Sequence, residues 1–226
     1  MASITLSDEE RRKVSDAVGA AEVHTAGEIV TIVSDRSDGY VDVALAWSVA
    51  ISFLAMALFS VFSEFYLSLI DQIFGLWGHE WTHRELLAIV MAVGVIKFIA
   101  MMLIQLVQPV KFFLIPSAVK AARVRDRAVS FFKVGAERRT HGHTGILIYL
   151  SMQEHRAEIV ADEAITAKVP ATVWGEAMAD MLGHIKDGRI GDGMAVGVAD
   201  VGAILAQHFP RGEDDRNELP DRLIEV

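Results

Sequence analysis

The sequence contains no cysteine, so disulfide bonds and thiolate zinc sites are excluded, and the chain needs no oxidising compartment. Basic residues are scarce as well, with 21 Lys and Arg against 30 Asp and Glu, which gives a net charge of -9. A nucleic-acid-binding protein needs a basic face to neutralise phosphates, and this balance argues against one. The first forty residues also lack the basic and then apolar regions of a cleavable signal peptide, so we expect none.

Long apolar runs, in contrast, are present twice. Val43–Phe62 has no ionisable residue, and Leu86–Val107 has one, Lys97. Each run reaches the ~20 residues that a helix needs to cross ~30 Å of hydrocarbon. The pattern predicts a transmembrane helical hairpin over residues 41–108, with the first span acting as its own insertion signal.

The residues on both sides of the hairpin carry the signals of one soluble domain. Ser7 and Glu10 form a capping-box pattern that starts a helix. The β-branched run Glu28–Val33 is typical of a strand buried on both faces, yet no partner strand precedes the hairpin. Gly145–Leu150 and Arg156–Ala161 are the next strand patterns. We therefore predict that residues 1–40 and 109–226 form one discontinuous α/β domain with a small mixed sheet.

Three further segments have helical periodicity. Ser117–Arg139 is a basic amphipathic helix, with apolar residues on one face and Lys and Arg opposite. A second apolar stripe follows Pro170 and stops at Asp187 and Gly188, as expected for a helix between a proline and a glycine. A third stripe runs from Val198 to His208. These helices would flank the sheet.

Local positive charge predicts the orientation of the hairpin. Five basic residues lie within ~20 residues of the second span: Lys111, Lys120, Arg123, Arg125 and Arg127. The loop Ser63–Glu85 contains Arg84 as its only Lys or Arg. By the positive-inside rule, both termini should face the cytoplasm, with the spans in the cytoplasmic (inner) membrane. The basic cluster would either bind anionic headgroups or serve topology alone.

Short motifs in the soluble part resemble those of the TPM domain family. The stretch EVHTAGEI resembles the helix-to-strand turn of TPM domains, with Glu22, Thr25, Gly27 and Glu28. Gly145–Leu150, followed by Arg156–Ala161, resembles the second and third strands of the family. The tail, with Arg216, Asn217 and Glu218, resembles the bacterial membrane-protein branch, in which a transmembrane hairpin interrupts the domain. The resemblance implies a TPM-like α/β sandwich.

For function, the resemblance implies phosphatase activity, calcium binding or a helper role for membrane complexes. Metal binding in exported members is associated with acidic residues near the first strand, often an Asp-Asp pair, whereas this chain has only the separated Asp35 and Asp38 there. We therefore assign neither the metal site nor the phosphatase site of the family to residues of this sequence. We expect a non-enzymatic interaction or accessory module, with the bilayer and a membrane protein or a second copy as partners. A phosphatase is the alternative.

One motif suggests a different chemistry. His79, Glu80 and His83 match H-E-x-x-H, in which two histidines one helical turn apart bind zinc and the glutamate is the general base. A third ligand would have to be Glu64 or Asp71, and a loop of about 20 residues hardly forms the cleft of a protease. A zinc protease is therefore a remote alternative to a helix start with interfacial His and Trp side chains.

Other ligand-type residues give no defined site. His141 and His143 could be joined by His155 or Asp162, but exposed loop histidines explain them better. Several acids could bind calcium through oxygen ligands, although none has EF-hand spacing: Asp187, Asp192, Glu213, Asp214, Asp215 and Glu218. No cofactor is predicted, and calcium enters only through the family resemblance.

Lys97 is the one charge inside the predicted spans. It lies about ten residues from either end of the second span, where a charge costs ~2.5–3.5 kcal/mol on insertion scales. Its compensating partner could be Ser48 or Ser52, water, a second copy of the chain or another membrane protein. A functional role such as association, an uncharged lysine and a simple helix-packing contact all remain open from the sequence.

Overall fold

The computed structural model describes residues 6–76, 79–135, 144–212 and 219–226. The elements in chain order are α1 Asp8–Glu22, β1 Glu28–Ser34, α2 Val41–Val61, α3 Ser63–Phe74, α4 His83–Ile104, α5 Gln108–Leu114, α6 Ser117–Gly135, β2 Gly145–Ser151, β3 Arg156–Ala161, α7 Glu163–Lys168, α8 Val173–Lys186, α9 Ile190–His208 and β4 Ile224–Glu225. They form two compact units. The first combines Met1–Asp38 with Ser117–Val226, and the second is Gly39–Pro116.

Parallel pairing of β1 with β2 builds the sheet of the first unit. The register runs from Glu28 opposite Gly145 to Ser34 opposite Ser151. All seven residues of β1 are buried, and a buried strand must satisfy its backbone N–H and C=O groups by pairing. The predicted pairing across the hairpin is confirmed. The complete order is β3-β2-β1-β4, with β3 antiparallel and β4 parallel to their neighbours.

Helices cover both faces of this sheet. On one face Ile29 and Val33 of β1 pack in a core with α1, α8 and α9. On the other face Val30 and Ile32 pack with Val124 and other residues of α6. A parallel sheet needs such double cover because both of its faces are apolar. The predicted α/β sandwich with a small mixed sheet is confirmed.

Three helices in the described part of the chain are long and apolar enough to cross a membrane by length and composition: α2, α4 and α9. They differ in what surrounds them. Met194, Val198 and Leu205 of α9 are fully buried in the core of the first unit. In α2 and α4, by contrast, Phe53 is 67% exposed and Leu103 is 58% exposed. Within the described residues, α2 and α4 therefore expose much of their apolar surface, whereas that of α9 is largely buried.

The second unit is built on the packing of α2 against α4. Small residues allow the close approach, since a Cβ added to Gly94 would lie 2.6 Å from Met56 Sδ. The Ser52 hydroxyl donates to Gly94 O at 2.8 Å, and the Gln105 amide donates to Ala44 O at 3.1 Å. Small residues and interhelical hydrogen bonds are typical of helices that associate in an apolar solvent.

Several elements differ from the sequence prediction. The segment Ser63–Glu85, predicted as a loop, contains α3, and residues that were assigned no structure form α5 and α7. The C-terminal segment, predicted as a tail, docks on the sheet through β4 and buries Leu219 and Leu223. These elements are short and gain their stability from neighbours, so local sequence patterns identify them poorly.

The crossing of α1 and α9 depends on Gly202. A Cβ added there would lie 2.5 Å from Ala21 Cβ, whereas one added to Gly183 of α8 meets nothing within 4 Å. We expect Gly202→Ala to lower the free energy of unfolding by about 1–3 kcal/mol through overpacking. Gly183→Ala should leave it unchanged or raise it by up to ~1 kcal/mol through helix propensity. Urea unfolding followed by circular dichroism measures both, and equal effects would contradict the packing argument.

Candidate functional site

The turn between α1 and β1 contains the residues that resemble the TPM motif, and the structure uses them to hold the C-terminal segment. The Thr25 hydroxyl donates to Phe209 O at 2.7 Å and accepts from Gly27 N at 3.0 Å. A Cβ on Gly27 would lie 2.9 Å from Leu205 Cδ1, so glycine is needed there for close approach. Both residues are buried, and their contacts are structural.

The two glutamates of the same motif are buried as well. Glu22 is 7% exposed and accepts a hydrogen bond from Ile29 N at 2.8 Å. Glu28 is 5% exposed and accepts one from Leu219 N at 3.0 Å. Each carboxyl group thus satisfies a buried backbone N–H group. Glu28 links the start of β1 to the C-terminal segment.

Glu22 is the carboxyl whose protonation the fold changes most. Its pKa is raised to about 8, chiefly by burial, with smaller contributions in the same direction from Glu28 and Asp221, while the hydrogen bond from Ile29 N lowers it. Desolvation disfavours the charged form of an acid, which explains the direction. Perturbed pKa values mark functional sites or structural networks. Because Glu22 binds a backbone N–H group of β1, we interpret it as part of a structural network.

The other motif residues divide between the described and undescribed parts of the chain. Arg156 begins β3, and its guanidinium donates to Ser117 O at 3.2 Å, which ties β3 to the start of α6. Arg216, Asn217 and Glu218 lie outside the described residues. Arg156 is therefore also a tertiary anchor.

A second polar cluster, which the sequence analysis missed, lies where the parallel strands β1 and β2 end. Ser37 Oγ lies 3.0 Å from Tyr149 Oη and donates to Ser151 Oγ at 2.8 Å. Ser151 Oγ donates in turn to Glu154 Oε2 at 2.5 Å, and Ser37 N donates to Glu154 Oε1 at 3.0 Å. The sequence signal that could have identified this cluster was its position after two strands, since α/β proteins bind ligands at the carboxyl ends of parallel strands.

The acids that follow β1 do not assemble a calcium site. Asp35 Oδ2 accepts from Gln153 Nε2 at 2.9 Å, and Asp38 forms an ion pair with Arg123 at 3.1 Å. Calcium needs six to eight oxygen ligands. Within the described residues no three His, Asp or Glu side chains come together in a way that could hold a metal. The calcium suggested by the resemblance does not fit this end of the sheet.

The H-E-x-x-H motif does not have the geometry of a zinc site. Thr82 caps α4 with a capping box to Glu85, so the helix begins at His83. His79 and Glu80 precede the helix, and His79 stacks edge-on against Trp81 with ring centroids 4.6 Å apart. The two histidines therefore do not share a helical face, which the zinc protease hypothesis requires. The segment forms a helix start instead.

The remaining ligand-type residues are likewise accounted for by local contacts. Asp162 accepts a hydrogen bond from Gly145 N at 3.0 Å, and His155 occupies the tight turn between β2 and β3 with φ of 51°. Asp187 pairs with Arg189 at 3.1 Å, and Asp192 pairs with Lys13. His141, His143, Glu213, Asp214 and Asp215 lie outside the described residues.

Part of the basic cluster is engaged within the protein. In the first unit Arg123 pairs with Asp38, Arg125 pairs with Glu158 at 3.1 Å, and the Arg127 guanidinium stacks 4.7 Å from the Phe131 ring. In the second unit Lys111 donates to Gly39 O. Arg125 and Arg127 are exposed, and Lys120 is half-buried. Ion pairs of this kind contribute little to stability. They do reduce the positive charge that is available to a lipid surface.

Comparison with known proteins agrees with the motif analysis. Residues 110–204 match the family model of the TPM domain. By this match the segment 110–204 is a TPM domain. The match begins after α4, so β1 lies outside the matched segment although it pairs with β2 in the same sheet.

The solved structures add evidence on the fold. The BA42 protein of the psychrophilic bacterium Bizionia argentinensis, determined by NMR, is similar with a TM-score of 0.56 and 18% identity, over 98% of this chain and 95% of that one. At this identity the likeness concerns the fold alone. No curated protein matches the chain.

Docking of the C-terminal segment can be tested through Glu28. Glu28→Ala leaves the Leu219 N–H without its charged acceptor, and we expect hydrogen exchange at Leu219 and Val226 to accelerate about tenfold or more, because hydrogen bonds to charged groups contribute ~1.5–3 kcal/mol. Glu158→Ala, which removes an exposed ion pair from β3, is the matched control and should leave both amides protected. Unchanged exchange in Glu28→Ala would show that Glu28 does not hold the segment.

The raised pKa of Glu22 predicts a pH dependence of stability. The unfolded chain releases this proton near the ordinary value of 4.5 and the folded chain near 8, so the folded state binds more protons in between. The free energy of unfolding should therefore fall as pH rises through this window, by up to about 1.4 kcal/mol per pH unit. Glu22→Gln retains the acceptor oxygen and should flatten the decline. Urea unfolding midpoints measured from pH 5 to 8.5 test this expectation. The control Glu9→Gln, on the exposed face of α1, should show the same decline of stability with pH as the wild type.

Proposed function

We propose that this chain is a membrane-anchored TPM domain that acts as a non-enzymatic interaction or accessory module at the cytoplasmic membrane. The exposed apolar surfaces of α2 and α4 support the anchor, because each helix reaches the length of a bilayer span. The serine, glycine and glutamine contacts between the two helices are those expected of a hairpin packed in lipid.

The observation that carries the non-enzymatic role is that the buried side chains of the α1–β1 turn and of the Ser37–Glu154 cluster are committed to the fold. Glu22, Thr25 and Glu28 hold backbone groups, and the Glu154 carboxylate accepts from Ser37 and Ser151. A hydrolytic site needs a nucleophile beside a base, open to a substrate. Ser151 and Glu154 have the contact but are buried, at 0% and 5% exposure. The domain is therefore better suited to presenting a surface than to performing a reaction.

A phosphatase is the second candidate, favoured by one observation. The chain of hydroxyls from Tyr149 through Ser37 and Ser151 to Glu154 lies at the carboxyl ends of parallel strands, a place where α/β enzymes bind substrates. Ser37 is its least buried hydroxyl. A change of conformation that exposed Ser37 would give a substrate access to its hydroxyl, which lies in the same cluster as the Glu154 carboxylate.

The orientation of the anchor follows from charge. The basic residues of α5 and α6 follow α4, whereas the segment between α2 and α4 contains no Lys or Arg, and Arg84 lies in the first turn of α4. By the positive-inside rule both termini, and with them the TPM domain, face the cytoplasm. We expect an alkaline-phosphatase fusion after Val226 to be inactive and a green fluorescent protein fusion there to be fluorescent. Fusions after Leu76 should give the reverse pattern, and an active phosphatase fusion after Val226 would contradict the orientation.

Assays on the purified chain separate the two functions. The interaction module should not hydrolyse p-nitrophenyl phosphate above the background of Ser37→Ala, and cross-linking of native membranes should recover a defined membrane complex. If the wild type hydrolyses the substrate and both Ser37→Ala and Glu154→Gln lose this activity, the interaction module is rejected in favour of the phosphatase. Glu158→Gln, half-buried on the neighbouring strand β3 and paired with Arg125, is the matched control.

A further inference from the structure

A cavity of about 380 Å³ lies between α2, α3 and α4 in the second unit. Its wall is apolar and includes Leu58 and Phe59 of α2, and Ile70 and Ile73 of α3. Lys97 of α4 lines the same cavity. An apolar cavity of this size with few polar groups is the usual form of a small-molecule site.

Lys97 has no internal counter-charge in the part of the chain that the structure describes. Its side chain is exposed, and the described residues provide it with no hydrogen bond or ion pair. The two serines expected as partners are engaged elsewhere, since Ser48 donates to Ala44 O and Ser52 donates to Gly94 O. The described residues that line the cavity include no acid. An ammonium group inside an apolar helix therefore needs an anion from outside the chain.

We propose that this cavity binds a long-chain fatty acid, with its alkyl chain along α2 and α3 and its carboxylate paired with the Lys97 ammonium group. The inference rests on the proposed membrane anchor, since the bilayer is the source of the ligand. Ammonium and carboxylate together carry no net charge, and a charge-assisted hydrogen bond between them is strong where water is excluded. The Tyr66 side chain, with its hydroxyl, is the other polar group at the cavity wall.

The size and depth of the cavity favour a fatty acid over a phospholipid. Lys97 lies seven residues before Ile104, the last residue of α4, which is about 10 Å along the helix. A headgroup that is itself polar would have to leave water to reach that depth. A single alkyl chain that ends in a carboxylate brings the smallest polar group to Lys97.

A second copy of the chain fits less well. The described acids of the second unit are Asp42 in the first turn of α2, Glu64 in the first turn of α3, Asp71 further along α3, Glu80 before α4 and Glu85 in the first turn of α4. Thr82 already engages Glu85, and Asp71 Oδ1 is buried. The other three lie at or before the start of a helix, whereas Lys97 lies about halfway along α4.

Native mass spectrometry of the full chain in detergent micelles tests the proposal, with oleate, oleyl alcohol and dioleoylphosphatidylglycerol as probes. We expect one oleate per chain and at least about tenfold weaker oleate binding in Lys97→Leu, as for the loss of one charge-assisted hydrogen bond. Oleyl alcohol, which has the same chain without the charge, should bind both proteins equally. Lys97→Arg should retain oleate, and Lys133→Leu on α6 is the matched control.

A cavity-filling variant provides an independent measurement. Ala55→Phe keeps the charge of Lys97 and should reduce binding of both oleate and oleyl alcohol, because Ala55 lines the cavity. Equal oleate binding by wild type and Lys97→Leu, or tighter binding of the phospholipid than of oleate, would overturn the proposal. Recovery of a lipid-free dimer that Lys97→Leu dissociates would do the same.

Membrane insertion, on which the proposed anchor depends, is measured in a separate experiment. Resistance of the chain to alkaline carbonate extraction reports membrane insertion and should be equal or greater in Lys97→Leu. An extractable chain contradicts the proposed function whatever binds in micelles. An inserted chain that binds no oleate contradicts only the lipid site.

Discussion

The parallel pairing of β1 with β2 is the interaction on which the rest of the structure depends. β1 is too apolar to remain exposed and has no strand near it in sequence, so its backbone groups must be satisfied by residues more than a hundred positions away. That single requirement joins the two flanks of the hairpin into one sheet. It also fixes the faces, because Ile29 and Val33 then meet α1 and α9 while Val30 and Ile32 meet α6.

The same pairing explains why the residues that resemble the TPM motif are a set of anchors. Thr25, Gly27 and Glu28 lie where the chain turns from α1 into β1, and that turn is also where the segments after α9 return to the sheet. Each residue satisfies a backbone group or allows a close approach that the sheet creates. Short motifs at such a junction can identify a family through its architecture alone, without marking a reaction centre.

Features with a local cause could be predicted from the sequence. The capping box of Ser7 and Glu10 starts α1 at Asp8, and the uncharged run after Val43 lies within α2. Features created by distant contacts could not, such as the meeting of Ser37 with Ser151 or the two-residue strand β4. Two signals were available but overlooked. Phe65, Leu69 and Ile73 have the helical spacing of α3, and the capping box of Thr82 and Glu85 starts α4 after Glu80, which separates the histidines of the zinc-like motif.

The position of β4 has a consequence for synthesis. β1 emerges from the ribosome long before its partners, and until β2 and β4 appear it is an apolar strand with two open edges, the kind of segment that pairs with other chains. β2 closes one edge, and at the other edge Ile32 and Val33 gain their partners only when residues 224–226 are in place, through β4 and the hydrogen bond from Val226 N to Val33 O. During translation the sheet must therefore be protected for almost the entire length of the chain. Loss of only those three residues would leave β1 open to aggregation in an otherwise complete fold.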